Sequence, residues 1–386
     1  MTHPIRLPAF LDDITPFLAV EVFQTACALE AQGRSIIHLE FGEPDFPTPE
    51  PVREAATRSM ERGETRYTHS LGIPELRRTI CDYHSAKYGT VIDPEQVLVS
   101  QGTSFLTYLT LLLLLEPGDE VILPDPTYAC YANFVRLARG VPVSVPLRES
   151  EGFQLDPAAV KKLITPRTRA LMICSPGNPT GVMLRPEVLR DLATLGIPIL
   201  SDEIYHGLSY GISEHSILEY TDNAFVLNGY SKYFAMTGWR LGYLIFPKPL
   251  RAPVMRLHQN VMISASEFVQ HAAIAAMTEA LPICERYRTE YDRRRLFLID
   301  RLKAIGLPLK YEPSGAFYVF ADARTYGLNS MNLAMEILQE TGVALTPGCD
   351  FGPGGEGYLR FSYANSMEHL AEALQRLEPF LARRAK

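Results

Sequence analysis

Six short apolar runs, each about the length of one strand, dominate the middle of the chain: Val97–Ser100, Glu120–Leu123, Ala170–Cys174, Pro198–Leu200, Ala224–Leu227 and Leu241–Phe246. A strand that is greasy along its whole length must be covered on both faces, unlike an alternating strand with one face in water. Stretches of helical periodicity lie between most of the runs: Thr103–Leu115, Tyr128–Ala138 and Pro186–Leu195. Turn-forming strings punctuate them, among them Glu116-Pro-Gly-Asp119 and Pro176-Gly177-Asn178-Pro179-Thr180-Gly181. Strand and helix in alternation predict an α/β fold of three layers, a mostly parallel sheet with helices on both faces.

After about residue 250 the pattern changes to long charged helices, such as Glu285–Ile305. Strand-like Ala316–Phe320, Val343–Thr346 and Tyr358–Ser362 follow, with a last helix from Met367. The expected organisation is an N-terminal arm and helix over 1–44 packing with the small domain, a large α/β domain over 45–285, and a smaller C-terminal α+β domain over 286–386.

Composition narrows the function classes. With 37 basic and 44 acidic residues, a net charge of −7, the chain has no basic groove for nucleic acid, and small molecules are the expected partners. The greasiest run, Phe105–Leu115, is shorter than the roughly 18 residues a membrane-spanning helix needs, so no membrane partner is expected. The N-terminal MTHPIRLPAF lacks the character of a signal peptide, and the six cysteines form neither a zinc-ligand nor a disulfide pattern. A cytoplasmic protein is expected. The nine histidines show no metal-ligand spacing, and P-loop and nicotinamide fingerprints are missing; no metal is expected.

In a mostly parallel sheet, ligands bind at the carboxyl ends of the strands. Gly102-Thr103-Ser104, Tyr128, Asn178, Asp202 with Tyr205, and Lys232 each follow one of the apolar runs, so they converge on one edge. A lysine whose surroundings deprotonate it can form an imine with a carbonyl cofactor. Arg240, eight residues after Lys232, offers a planar guanidinium suited to a phosphate. Taken singly, most of these residues have plainer readings: Asp202 as a helix cap, Tyr205 and Tyr128 as core aromatics, Gly102-Thr103-Ser104 as an N-cap, Arg360 as a strand-end surface arginine.

The strings Ser231-Lys232-Tyr-Phe-Ala-Met-Thr-Gly238-Trp239-Arg240-Leu-Gly242, Asn178-Pro179-Thr180-Gly181 and Ser201-Asp202-Glu203-Ile204-Tyr205 together resemble the class I aminotransferases of the fold type I pyridoxal-phosphate family. The resemblance runs from Gly42-Glu43-Pro44-Asp45-Phe46 to Arg360-Phe361-Ser362-Tyr363-Ala364. It implies pyridoxal 5'-phosphate as cofactor, held as a Schiff base by Lys232. It further implies ping-pong transfer of an amino group from an L-amino acid to a 2-oxo acid. Asp202 would pair with the pyridine nitrogen, Tyr205 and Asn178 would bond the phenolic oxygen, and Tyr128 would lie on the ring face. Gly102, Thr103, Ser104, Ser231 and Arg240 would surround the phosphate. Arg360, Asn178 and the Gly42 backbone would take the substrate carboxylate. Tyr67 would reach the phosphate of a second subunit, which implies a homodimer with shared active sites. Many relatives carry Ser or Thr three residues before the lysine; here that residue is Gly229, which leaves compensation to Ser231 or Thr103. The apolar Ile14–Leu18 segment, with Tyr67 and Tyr128, favours neutral or aromatic donors, with aspartate the competing one. A β-lyase or a related non-transaminating enzyme of the same fold is the alternative, followed by a cofactor-sensing regulatory domain.

Overall fold

The computed structural model of the chain describes residues 5, 7–327 and 329–384; the ends of the outermost segments expected above lie outside these. Twelve strands occur among the described residues: β1 (Ile37–His38), β2 (Val97–Ser100), β3 (Glu120–Asp125), β4 (Val141–Pro146), β5 (Thr168–Cys174), β6 (Ile199–Asp202), β7 (Ala224–Gly229), β8 (Gly242–Ile245), β9 (Tyr318–Asp322), β10 (Val343–Ala344), β11 (Thr346–Pro347) and β12 (Tyr358–Ser362). Seven of them form one sheet in the order β2-β8-β7-β6-β5-β3-β4. Only β8 runs against its neighbours.

Alternate side chains of these strands enter two different cores. Leu98, Met172, Leu200 and Leu227 join the face covered by the helix Gly102–Leu114. Val99, Ile173, Ile199 and Val226 join the opposite face, where Val188 and Leu192 of the helix Pro186–Ala193 pack. A one-residue slip in register would exchange the two sets, so dense packing on both faces holds the register.

All six expected strands of the large sheet are present, shifted by at most two residues at either end. β4 escaped the sequence reading, for a physical reason. It is an edge strand carrying Pro142 and Pro146, and most of its residues are exposed or half-buried, so it shows no apolar run. Expected Val343–Thr346 is corrected to two strands in separate sheets: β10 pairs in parallel with β1, while β11 pairs with β12. The long helix runs Leu281–Ala304, so the boundary expected after residue 285 falls inside it.

The N-terminal helix Leu18–Glu30 packs through Val22 and Ala26 on Leu338 and Ala344. Asp350 accepts from the backbone N–H of Leu18 and Ala19 at 2.8 and 3.3 Å, capping that helix. On the other side, the Asn133 amide clasps Thr15, donating to its carbonyl at 2.9 Å. The segment between these anchors therefore crosses the cleft with Phe17 turned inward.

Candidate active site

One cleft at the carboxyl ends of β2, β3, β5, β6 and β7 gathers twelve of the thirteen expected site residues. Gly42, Gly102, Thr103, Ser104, Tyr128, Asn178, Asp202, Tyr205, Ser231, Lys232, Arg240 and Arg360 all line it. Tyr67 does not; its side chain stands 80% exposed on the surface.

The loop after β7 carries Lys232, half-buried, with Nζ donating to the Gly42 carbonyl at 2.6 Å. Burial, followed by the nearby Arg360 guanidinium, lowers its ammonium pKa to about 8. Asp202 ends β6 and is buried. Its Oδ2 accepts from the Tyr131 hydroxyl at 2.6 Å, and its Oδ1 from the Ile204 N–H at 3.1 Å. Burial pushes the carboxyl up to about 6, against both bonds and the attraction of Lys232. Tyr205 shares a hydrogen bond with the Tyr318 hydroxyl at 2.9 Å.

Arg360, on β12, is buried against the Tyr318 ring with its guanidinium 4.4 Å from the ring centroid. It donates to Asn178 Oδ1 at 2.9 Å, to Thr346 Oγ1 at 3.0 Å and to the Glu40 carbonyl. Its Nε–H is buried and has no hydrogen-bond partner among the described residues. A Cβ at Gly42 would overlap the Tyr318 hydroxyl, so only glycine lets the chain pass here.

These residues fit pyridoxal 5'-phosphate. The helix N-terminus at Gly102 and the Arg240 guanidinium form one anion cradle. A Cβ at Gly102 would stand 3.1 Å from Arg240 Nη2, so the glycine keeps the two close. Asp202, a buried carboxylate without a counter-ion, suits a protonated ring nitrogen. Gly229 answers the missing hydroxyl: a Cβ there would lie 2.9 Å from the Gly242 Cα and 3.0 Å from the Leu241 carbonyl. The backbone of β8 occupies the place of a side chain, while Ser231 and Thr103 both line the cleft.

Sequence reasoning missed Tyr131, Tyr318 and Phe17 as cleft residues. Tyr131 was signalled weakly, three residues after Tyr128 and hence on the same side of that turn. Tyr318 lies on β9, distant in sequence from every motif, and nothing local marks it. Phe17 sat within the segment already suspected of covering the substrate.

The model of the family "Aminotransferase class I and II" matches residues 34–377. An aspartate aminotransferase of Pyrococcus horikoshii is 40% identical over 370 residues, 94% of this chain and 93% of the relative. An aromatic-amino-acid aminotransferase of Thermococcus litoralis is 37% identical, covering 96% of this chain and 97% of its own. The solved aspartate aminotransferase of Thermus thermophilus with maleate superposes with a TM-score of 0.92 at 38% identity, over 97% of this chain and 99% of that one. The chain belongs to the class I and II aminotransferases, pyridoxal-phosphate-dependent enzymes that move an amino group from an amino acid to a 2-oxo acid.

Proposed function

We propose that Lys232, Asp202 and Tyr205 are the catalytic residues of this aminotransferase, and that Arg360 with Asn178 and Gly42 receives the substrate. One observation carries the reading: Lys232, its pKa lowered to about 8, stands in one cleft with both the buried Asp202 carboxylate and the buried Arg360 guanidinium. When bound, pyridoxal 5'-phosphate supplies an electron sink that stabilises negative charge at the substrate Cα. Lys232 would hold the cofactor through its amine and, in its freed form, would take the proton from the substrate Cα. Asp202 keeps the ring nitrogen protonated, and Tyr205 and Asn178 hold the phenolic oxygen. Tyr128 packs on the ring, and Gly102, Thr103, Ser104, Ser231 and Arg240 hold the phosphate. Arg360 orients the α-carboxylate so that Cα–H faces Lys232.

The donor in this proposal is a neutral or aromatic amino acid. Phe17 presents its ring edge to Tyr128 at 6.2 Å. The cations lining the cleft among the described residues are Lys232, Arg240 and Arg360, each with a task already. The functional unit is a homodimer. Tyr67 is exposed, and the stretch that carries it is joined by the Thr68 N–H to Ser264 Oγ bond at 3.2 Å to one bearing Val261 and Ile263, 51% and 49% exposed. Its ring would complete the partner's phosphate site. The six unpaired cysteines accord with a cytoplasmic location, and the division into arm, large domain and small domain at residues 44 and 285 belongs to the same proposal.

The test is the visible spectrum of the purified enzyme, mixed in turn with each common amino acid. Conversion to the pyridoxamine form, fastest with neutral or aromatic donors and abolished in Lys232→Ala, is expected. Strict preference for aspartate overturns the donor class. Ammonia and pyruvate from a β-substituted amino acid, without that conversion, points to a lyase. A monomer in sedimentation with full activity removes the shared site.

A further inference from the structure

One buried carboxylate in the wall of the cleft has no part in the roles above. Glu40 is wholly buried. Its Oε1 is 2.7 Å from His38 Nδ1, and His38 Nε2 lies 3.3 Å from Glu30 Oε1 at the end of the N-terminal helix. The second oxygen, Oε2, has no hydrogen-bond partner and no contact with water, so it does not meet a substrate in the open cleft. Burying a carboxylate costs several kcal/mol, of order, unless a cation stands beside it. His38, when protonated, is placed to be that cation. Its bond to Glu40, and then the attraction of Glu40 and Glu30, raise the imidazolium pKa against the opposing effect of burial. The titratable groups facing His38 are Glu40 from its own segment and Glu30 from the N-terminal helix. From the start of the last helix, Asn365 donates to the His38 carbonyl and is itself bonded to His369.

What this chain of charges anchors is backbone. The Glu40 carbonyl accepts from Arg360 and, at 2.8 Å, from Thr346 Oγ1. Two residues on, the Gly42 carbonyl accepts from Lys232. The segment after β1 thus offers one carbonyl to each of two active-site cations. Its side chains at 38 and 40 are tied back to a helix on the far side.

We propose that Glu40, held through His38 to Glu30, is a positioning residue for the Arg360 clamp, fixing the Glu40 carbonyl and with it the guanidinium that grips the substrate α-carboxylate. This inference rests on the assignment of Arg360 to that carboxylate. Without the His38 ring between them, the Glu40 side chain loses its tie to Glu30 on the N-terminal helix, the segment relaxes, and the grip weakens.

The holoenzyme and its Glu40→Gln, His38→Gln and Arg360→Gln variants are assayed with a donor amino acid and with the matching amine that lacks the α-carboxylate. In Glu40→Gln and His38→Gln the preference for acid over amine should fall about tenfold, chiefly through KM for the acid. A loss shared equally by both substrates, or an unchanged preference, overturns the inference. Arg360→Gln should abolish the preference; if it does not, the assignment of Arg360 fails, and the inference with it. Should the variants at 38 and 40 not fold, the wild-type enzyme decides. Its acid-to-amine preference should fall as the His38 ring deprotonates, and titrations of Lys232 or Asp202 cancel in that ratio. A preference flat with pH while His38 titrates by NMR overturns the inference.

Discussion

Tyr131→Phe is the sharpest test of Asp202 as a buried counter-ion. Tyr131 is 2% exposed, and its hydroxyl is one of two donors to the carboxylate, the other being the Ile204 N–H. The substitution keeps the ring and removes that one donor. A hydrogen bond to a buried charge contributes about 1.5–3 kcal/mol. That is roughly 10- to 150-fold in any step that needs Asp202 ionised. The carboxyl, already raised to about 6 by burial, would rise further without the Tyr131 bond that lowers it. A higher pH is then needed to ionise it, so the acid limb of the rate profile moves upward. The assay is the single-turnover reaction with amino acid, followed in the visible spectrum across pH, with the thermal midpoint as a control for folding. A fall of less than about threefold, roughly 0.6 kcal/mol, together with an unmoved acid limb, refutes the role.

Three further outcomes follow from the same geometry. Cofactor attachment to the cofactor-free chain should accelerate with pH and level off above about 8, where the Lys232 amine is free; stopped-flow absorbance reads this, and a rise persisting toward pH ~10 would mark an ordinary lysine. The Glu203 carboxyl is raised by burial to about 8 from an ordinary 4.5, so the folded state holds an extra proton between those values and loses stability as pH rises through them. Glu203→Gln should therefore gain in thermal midpoint over wild type above pH 8, with the gain vanishing near pH 4.5; a difference independent of pH contradicts this. Gly229→Ser, which restores the hydroxyl many relatives carry, should destabilise by about 1–3 kcal/mol through overpacking, and an undiminished melting temperature would show that β8 gives way.

The core of the fold was legible because burial on both faces leaves a local mark. β2, β3, β5, β6, β7 and β8 are continuous apolar runs, and polar residues that the chain places after all of them but the antiparallel β8 line the cleft. β4 left no such mark, since an edge strand pairs on one side only and tolerates proline and exposure. The division of residues 343–347 between two sheets was equally hidden. Which partner a two-residue strand finds depends on what lies beside it in space.

The sequence by itself determined the chemistry on offer: a lysine, an acid and a glycine-led helix start, each after a strand's carboxyl end, with an arginine shortly after the lysine. Residue type and position along a strand are local properties, and they carry that much. Tertiary structure alone decided how those groups behave. Burial lowers the Lys232 amine pKa to about 8, helped by Arg360, over a hundred residues away in sequence. Tyr131 and Tyr318 entered the site because a helix face and a strand of the three-stranded sheet close over it. Glu40 acquired its tie to the N-terminal helix from a fold that brings His38 and Glu30 together. Desolvation and proximity set these properties; both depend on what surrounds a side chain in space, which neighbours along the chain do not specify.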